Sequence, residues 1–124
     1  MQKILLIVVT LSIASAGPVR AQVGTAPYDA QLQRLAEILG SLHYLRPLCG
    51  ANDGQRWRTE MQSIMESDAP SGVRRERMIA SFNRGYRGFQ QTYRACTPAA
   101  ELAIRRYLSE GTRIIRDVTA RYSN

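Results

Sequence analysis

Few side chains in this chain carry obvious chemistry: one histidine, His43, two cysteines, Cys49 and Cys96, ten carboxylates and a large excess of arginine. A zinc site is disfavoured, because no CxxC occurs and a single histidine leaves too few ligands. Serine hydrolysis would have to use His43, and no GxSxG surrounds any serine. Carboxylates paired for glycosidase-type chemistry are not evident, since Glu60, Glu66, Glu110 and Asp117 are scattered among arginines. Glu110 is spaced for Arg106 and Arg113, and Asp117 for Arg113 and Arg121, as ordinary helix-surface pairs. His43 with Met61, Met65 or Met78 raises His/Met haem ligation, but no CxxCH exists for covalent attachment. His43 is equally placed for a helix-end hydrogen bond. No catalytic residue, metal ligand or cofactor is assigned on these grounds. The reading leans away from an enzyme.

The densest stretch is FNRGYRGFQQTYRACT, residues 82–97, which interleaves Phe82, Tyr86, Phe89 and Tyr93 with Arg84, Arg87 and Arg94 and ends near Cys96. Such interleaving suits either a core helix or a surface on which nucleic-acid bases stack beside cations. The spacing decides between them. Ile79, Phe82, Tyr86, Phe89, Tyr93 and Cys96 recur at alternating steps of three and four, so on a helix they share one face. Arg84, Arg87, Gln91 and Arg94 then fall opposite. A stacking platform needs exposed aromatics beside the basic groove, so this separation predicts a core helix and no nucleic-acid partner.

What positions these residues begins with the N-terminus. Met1-Gln2-Lys3 is a short basic start, followed by an apolar run from Ile4 to Ile13, then small residues and Gly17-Pro18. That order is the one found in secretory signal peptides. The run is about half of the roughly 20 residues needed to span a bilayer, so no permanent membrane span is expected after cleavage. Ala14-Ser15-Ala16 and Val19-Arg20-Ala21 are both candidate cleavage patterns, and cleavage after Ala21 is preferred because Pro18 then breaks the helix just upstream. A signal peptide over 1–21, a flexible lead over 22–27 and a single helical domain over 28–124 follow. Losing Lys3 and Arg20 takes the basic count from 17 to 15 against 10 acids, and every remaining basic residue is arginine. A basic exported chain points toward anionic envelope components or an acidic partner protein. Codon bias toward arginine is the plainer explanation of the same composition.

Export also bears on the cysteines. An even pair in an oxidising compartment most simply forms one structural disulfide, whereas a redox-active pair more typically shows close spacing such as CxxC.

The remaining chain reads as helices joined by short turns. Tyr28, Leu32, Leu35, Leu39 and Leu42 form one apolar stripe on a helix over 28–45, ended by Arg46-Pro47 and Gly50. Asn52-Asp53-Gly54 offers an N-cap for a second helix over 54–67, carrying Trp57, Met61, Ile64 and Met65. Ser71 is a plausible cap for a third over 72–95, and Thr97-Pro98 for a fourth over 98–122. The fourth stripe is Ile104, Leu108, Gly111, Ile115, Val118 and Tyr122. The pattern predicts an all-α protein, a small antiparallel bundle of about four helices with one disulfide. Leu35, Leu39, Ile64, Phe82, Tyr86, Phe89, Ile104, Leu108 and Ile115 are the expected core. Gly85 and Gly88 each cost roughly 1 kcal/mol against alanine inside a helix. Gly85 and Gly111 are therefore read as places of close helix packing, with the third and fourth helices as a candidate pair.

YLRPLCG (44–50), FNRGYRGFQQTYRACT (82–97) and EGTRIIRDVTARY (110–122) resemble the blocks of a family of unknown function. Its members are small exported proteins, mainly alphaproteobacterial, with two cysteines in such blocks. The resemblance implies a periplasmic setting and supports pairing Cys49 with Cys96. It carries over no catalytic residue.

The functional expectation is a periplasmic, non-enzymatic helical module that binds an acidic envelope protein or anionic envelope polymer through an arginine-rich face. Arg84, Arg87 and Arg94 on the third helix and Arg105, Arg106, Arg113 and Arg116 on the fourth form the candidate surface, one continuous surface if those helices are neighbours. Guanidinium forks suit carboxylate and phosphate in two-point bonds. The alternatives are an envelope enzyme whose site gathers His43, Trp57 or carboxylates, and a haem or small-ligand carrier.

Overall fold

The computed structural model describes residues 17 and 26–122. The expected signal segment and cleavage sites, Gly17 aside, lie outside the described residues. Four helices follow in order: α1 Asp29–Leu48, α2 Arg56–Asp68, α3 Gly72–Thr92 and α4 Pro98–Tyr122. Short connections reverse the chain each time, so α2 and α4 run against α1 and α3. Among the described residues there is no strand, and no helix is long and apolar enough to cross a membrane.

α1 is the hub. It packs against each of the other three helices, and α2 and α3 meet only along a short stretch. Among the described residues the backbone of α4 comes close to α1 alone, its Tyr107 ring reaching Phe89 of α3. A helix with neighbours on several sides must be apolar on several sides. Besides the expected Leu32, Leu35, Leu39 and Leu42, α1 therefore buries Ala36, Ile38, Gly40, Ser41 and Leu45. It also continues past Arg46-Pro47 to Leu48. Pro47 sits in the last turn, where the chain is already leaving the ladder. Ala51 N–H reaches the Arg46 carbonyl across Gly50, whose φ of 89° is left-handed and natural only for glycine.

The helix starts differ in how they are capped. Thr97 does what its position suggests: its Oγ1 accepts the Ala100 N–H at 3.1 Å, with Pro98 opening the helix. Ser71 holds the N-cap position of α3 without a side-chain bond, and α2 starts from Gln55. Asp53, in the stretch Asn52-Asp53-Gly54 expected to offer α2 its cap, is turned to other partners. Its carboxylate accepts Arg46 Nε at 2.6 Å, Arg46 Nη2 at 3.1 Å and the Trp57 indole N–H at 2.9 Å. That knot fastens the end of α1 to the start of α2.

Two parts of the expected core are corrected. On α4, Ile115 is 52% exposed and Ile114 is buried. The buried line runs Ala100, Ile104, Gly111 and Ile114, with Tyr107 and Val118 half-buried on the same side. Leu108, like Ile64 on α2, is only half-buried. Two alternating 3–4 rows pass through Ile104 and Gly111, and the one facing α1 uses Tyr107 and Ile114 rather than Leu108 and Ile115. On α3, Phe82, Tyr86 and Phe89 are half-buried, and the buried residues are Met78, Ser81 and Gly85. The small residues lie against α1. The aromatics flank them, Phe82 and Tyr86 beside His43 and Phe89 edge-on to Tyr107 of α4.

The Cys49–Cys96 disulfide joins the residues just beyond the C-terminal ends of α1 and α3, with Cα atoms 4.9 Å apart. α1 and α3 run parallel, so the bridge ties together two neighbouring ends that the sequence separates by 47 residues.

Candidate functional site

The glycines determine where concave surface can form. A Cβ on Gly40 would collide with the backbone carbonyl of Phe82, and one on Gly85 with that of Glu37. α1 and α3 thus touch backbone to backbone through a reciprocal pair of notches. Gly111 lies against the Ile38 and Leu35 side chains of α1, with ordinary van der Waals room. Gly85 and Gly111 do not meet each other; each faces α1. Gly40, the partner notch, was not singled out by sequence reasoning, though its place on the apolar side of α1 between Leu39 and Ser41 is the signal that finds it.

Drawing α3 so close to α1 leaves α2 splayed from α3 and opens a groove of about 510 Å³ between them, with α1 beneath. His43 comes from α1; Arg58, Met61, Gln62 and Met65 come from α2; Arg75, Ile79, Phe82, Asn83, Tyr86 and Arg87 come from α3. The short turn between Asp68 and Gly72 makes α2 and α3 antiparallel, which fixes the order along the groove. Met65 lies toward Arg75 and Ile79 near the turn, and Arg58 lies toward Tyr86 and Arg87 at the far end. Arg75 and Arg87 are twelve residues apart on α3, about 18 Å along its axis.

His43 sits at the Arg58 end. Its ring packs on Phe82 and Tyr86 at centroid distances of 5.7 and 5.5 Å. Its Nδ1 is buried without a hydrogen-bond partner, which leaves Nε2 as the ring nitrogen able to serve the groove. Burial first, and the positive charge of Arg58 second, hold its pKa below the ordinary histidine value. The imidazole is therefore neutral at pH 7. No carboxylate lines the groove, and among the described residues no ion pair within 4.0 Å engages Arg58, Arg75 or Arg87.

The arginines singled out from sequence do not form one sheet of charge, because the backbones of α3 and α4 stay apart and meet only through the Phe89 and Tyr107 rings. Arg87 belongs to the groove. Arg84 turns the other way, toward Glu37 of α1 at 3.6 Å. Glu37 also meets Arg34, and Arg34 grips Glu110 of α4 through two bonds of 2.8 and 3.0 Å. Glu110 thus serves a bond between helices, not the surface pairs with Arg106 and Arg113 that its spacing suggests. Arg94 lies just past the end of α3, exposed. Arg105 and Arg106 are exposed on α4, while Arg113 and Arg116 line a shallow depression with Leu108, Ser109, Thr112 and Asp117. Arg58 and Arg75, which complete the charged part of the groove, were not among the sequence candidates. Their grouping with Arg87 depends on the α2–α3 splay, which no local pattern encodes.

Among the described residues no cluster of three or more His, Cys, Asp or Glu side chains is placed to hold a metal ion. No curated protein and no solved structure matches the chain. Residues 27–122, which take in all four helices and both cysteines, match a protein family. The chain belongs to that family, described as protein of unknown function (DUF2385).

Proposed function

We propose that the protein is an exported, periplasmic, non-enzymatic module that binds an anionic envelope partner through its arginine-rich surface. The observation that carries this reading is the groove between α2 and α3: Arg58, Arg75 and Arg87 border it, none is paired to a carboxylate among the described residues, and the one histidine in it is held neutral. Three unpaired guanidiniums around an apolar floor favour an anion. A hydrolytic site would need a nucleophile or a carboxylate beside His43, and the groove lining supplies neither.

Export is tested by fractionation and by the N-terminal mass of the recovered protein, which should begin at Gln22. Binding is tested by capture of anionic material from envelope extract at low and high salt. Wild type should retain it, high salt should weaken it, and the triple change Arg58→Gln, Arg75→Gln, Arg87→Gln should lose it. A parallel quadruple change at Arg105, Arg106, Arg113 and Arg116 reports on the α4 surface. Loss with the α4 set alone would move the site there, and loss with neither set would end the anion-binding reading.

A haem or small-ligand carrier is the second reading, favoured by one observation: His43, Met61 and Met65 line the same groove. Titration with haemin separates it, since axial His/Met ligation shifts the absorbance spectrum.

A further inference from the structure

We infer that the α2–α3 groove takes a single-chain anionic amphiphile, an alkyl chain ending in a carboxylate or phosphate. This rests on the anion-binding reading and narrows it from an acidic partner of any kind to a small ligand with a long apolar body.

Three observations lead there. The first is the distribution of chemistry along the groove. The end away from the α2–α3 turn gathers Arg58, Arg87 and His43; Met61, Met65, Ile79 and Phe82 line the stretch between; and Arg75 stands near the turn. An anionic amphiphile fits this order with its head at the two-arginine end and its tail along the apolar stretch. The second is exposure. Ile79 is 39% exposed on a helix face that otherwise carries Arg75, Asn83 and Arg87, so part of its apolar surface is left uncovered among the described residues. Two methionines opposite it are flexible and polarisable, able to fit a chain of varied length.

The third is size. The groove, of about 510 Å³, lies within the range of roughly 300–1,000 Å³ typical of small-ligand sites. An extended alkyl chain lies along the trough defined by two antiparallel helices, and the about 18 Å between Arg75 and Arg87 gives it length to do so.

In the bound state the head accepts hydrogen bonds from the Arg58 and Arg87 guanidiniums, and the tail covers Ile79 and the open side of Phe82, with Met61 and Met65 buried behind. A carboxylate there also offsets the field of Arg58 at His43, so Nε2 becomes a better place for a proton when the ligand is present.

Calorimetric titration of the protein expressed from the full chain tests this with dodecanoate, decanoate, butyrate, dodecyl phosphate and dodecyltrimethylammonium. Dodecanoate and dodecyl phosphate should bind at one site. Decanoate should be about tenfold weaker, because two fewer methylenes are buried. Butyrate and dodecyltrimethylammonium should not bind in the same range. Arg58→Gln and Arg87→Gln, both at exposed positions that leave the core intact, should each weaken dodecanoate about tenfold. Ile79→Gln should weaken it about threefold or more. Equal binding of the cationic surfactant, insensitivity to chain length, or haemin binding that dodecanoate does not displace would each overturn the inference. The chain-length series uses wild type alone, so it decides even if a variant folds poorly. Failure of dodecanoate with retained, salt-sensitive capture of anionic envelope material would overturn the amphiphile and leave the anion-binding reading standing. Failure of both removes both.

Discussion

The α-carbon of Gly85 rests against the carbonyl oxygen of Glu37, with no room between them for a methyl group. The obstacle is backbone on another helix, so it cannot rotate away. Gly85→Ala should destabilise by about 2–3 kcal/mol, the overpacking cost exceeding the roughly 1 kcal/mol of helix propensity gained. Gly40→Ala, which meets the Phe82 carbonyl, should behave alike. Gly88 is the internal control: nothing lies within 4 Å of a Cβ there, so Gly88→Ala should stabilise by about 0.5–1 kcal/mol. Urea unfolding of the three variants measures the contrast. A Gly85→Ala protein as stable as Gly88→Ala would mean α1 and α3 lie farther apart.

Cys49 and Cys96 close a loop of 47 residues between the parallel ends of α1 and α3. Constraining the unfolded chain over that length contributes about 4 kcal/mol in the chain-entropy model. A Cys49→Ser, Cys96→Ser double variant should therefore lose a few kcal/mol while remaining helical by circular dichroism. Free thiols titrating in oxidised protein from the native compartment would show the bridge to be absent.

The helices were legible in the sequence because each carries its own 3–4 spacing and its own stops: Gly50, Gly72 and Thr97-Pro98 sit at the observed ends. What local spacing does not specify is which neighbour a face meets. Ile114 and Ile115 both continue a 3–4 row from Ile104 through Gly111, and only the position of α1 selects Ile114. In the same way Phe82 and Tyr86 read as core, yet Ser81 and Gly85 take the contact with α1 and displace the rings to its flanks. The disulfide was readable from an even pair of cysteines in a chain expected to be exported, with the family resemblance supporting the pairing of Cys49 with Cys96. The groove was not, because Arg58 of α2 and Arg87 of α3 come together only through an opening between helices that close packing elsewhere creates.

Arg34 and Glu110 share a two-point bond that links α1 to α4, with the guanidinium also 5.4 Å from the centre of the Tyr107 ring. The hydrogen bonds from Arg34 hold the Glu110 carboxyl below its ordinary value. The Arg34 side chain is 39% exposed, so solvent screens much of this. A double-mutant cycle with Arg34→Met and Glu110→Gln should give a coupling of about 0.5–1 kcal/mol, smaller at high salt. Zero coupling would leave α4 held by apolar and aromatic contacts alone.

Asp53 supplies an acid-side signature. Hydrogen bonds from Arg46 and from the Trp57 indole hold its pKa down to about 2, against an ordinary 3.8. A folded-state pKa below the unfolded one means the unfolded chain binds the proton more readily. The stabilisation is therefore present above about pH 4 and lost as pH falls toward 2. Asp53→Asn should flatten that part of the stability–pH curve, and loss of the Trp57 hydrogen bond on acidification should appear in its fluorescence.

His43 acts in a higher window with the same sign. Burial and Arg58 depress its folded-state pKa below the ordinary 6.5, so the unfolded state takes up the proton first. Stability should fall as pH drops through 6.5 toward the folded value, and His43→Gln should remove that slope while leaving the Asp53 step. The groups facing the ring explain the direction: Phe82 and Tyr86 offer no charge, and Arg58 and Arg87 on the groove wall are both cationic. A bound alkyl carboxylate reverses the balance by placing a negative charge beside Arg58. Dodecanoate binding should therefore tighten as pH falls from 7 to 5.5, while the ligand remains ionised, with proton uptake visible as a buffer-dependent heat. His43→Gln should bind with no pH dependence across that interval. Binding that weakens on acidification while the protein stays folded would show that the head lies away from His43.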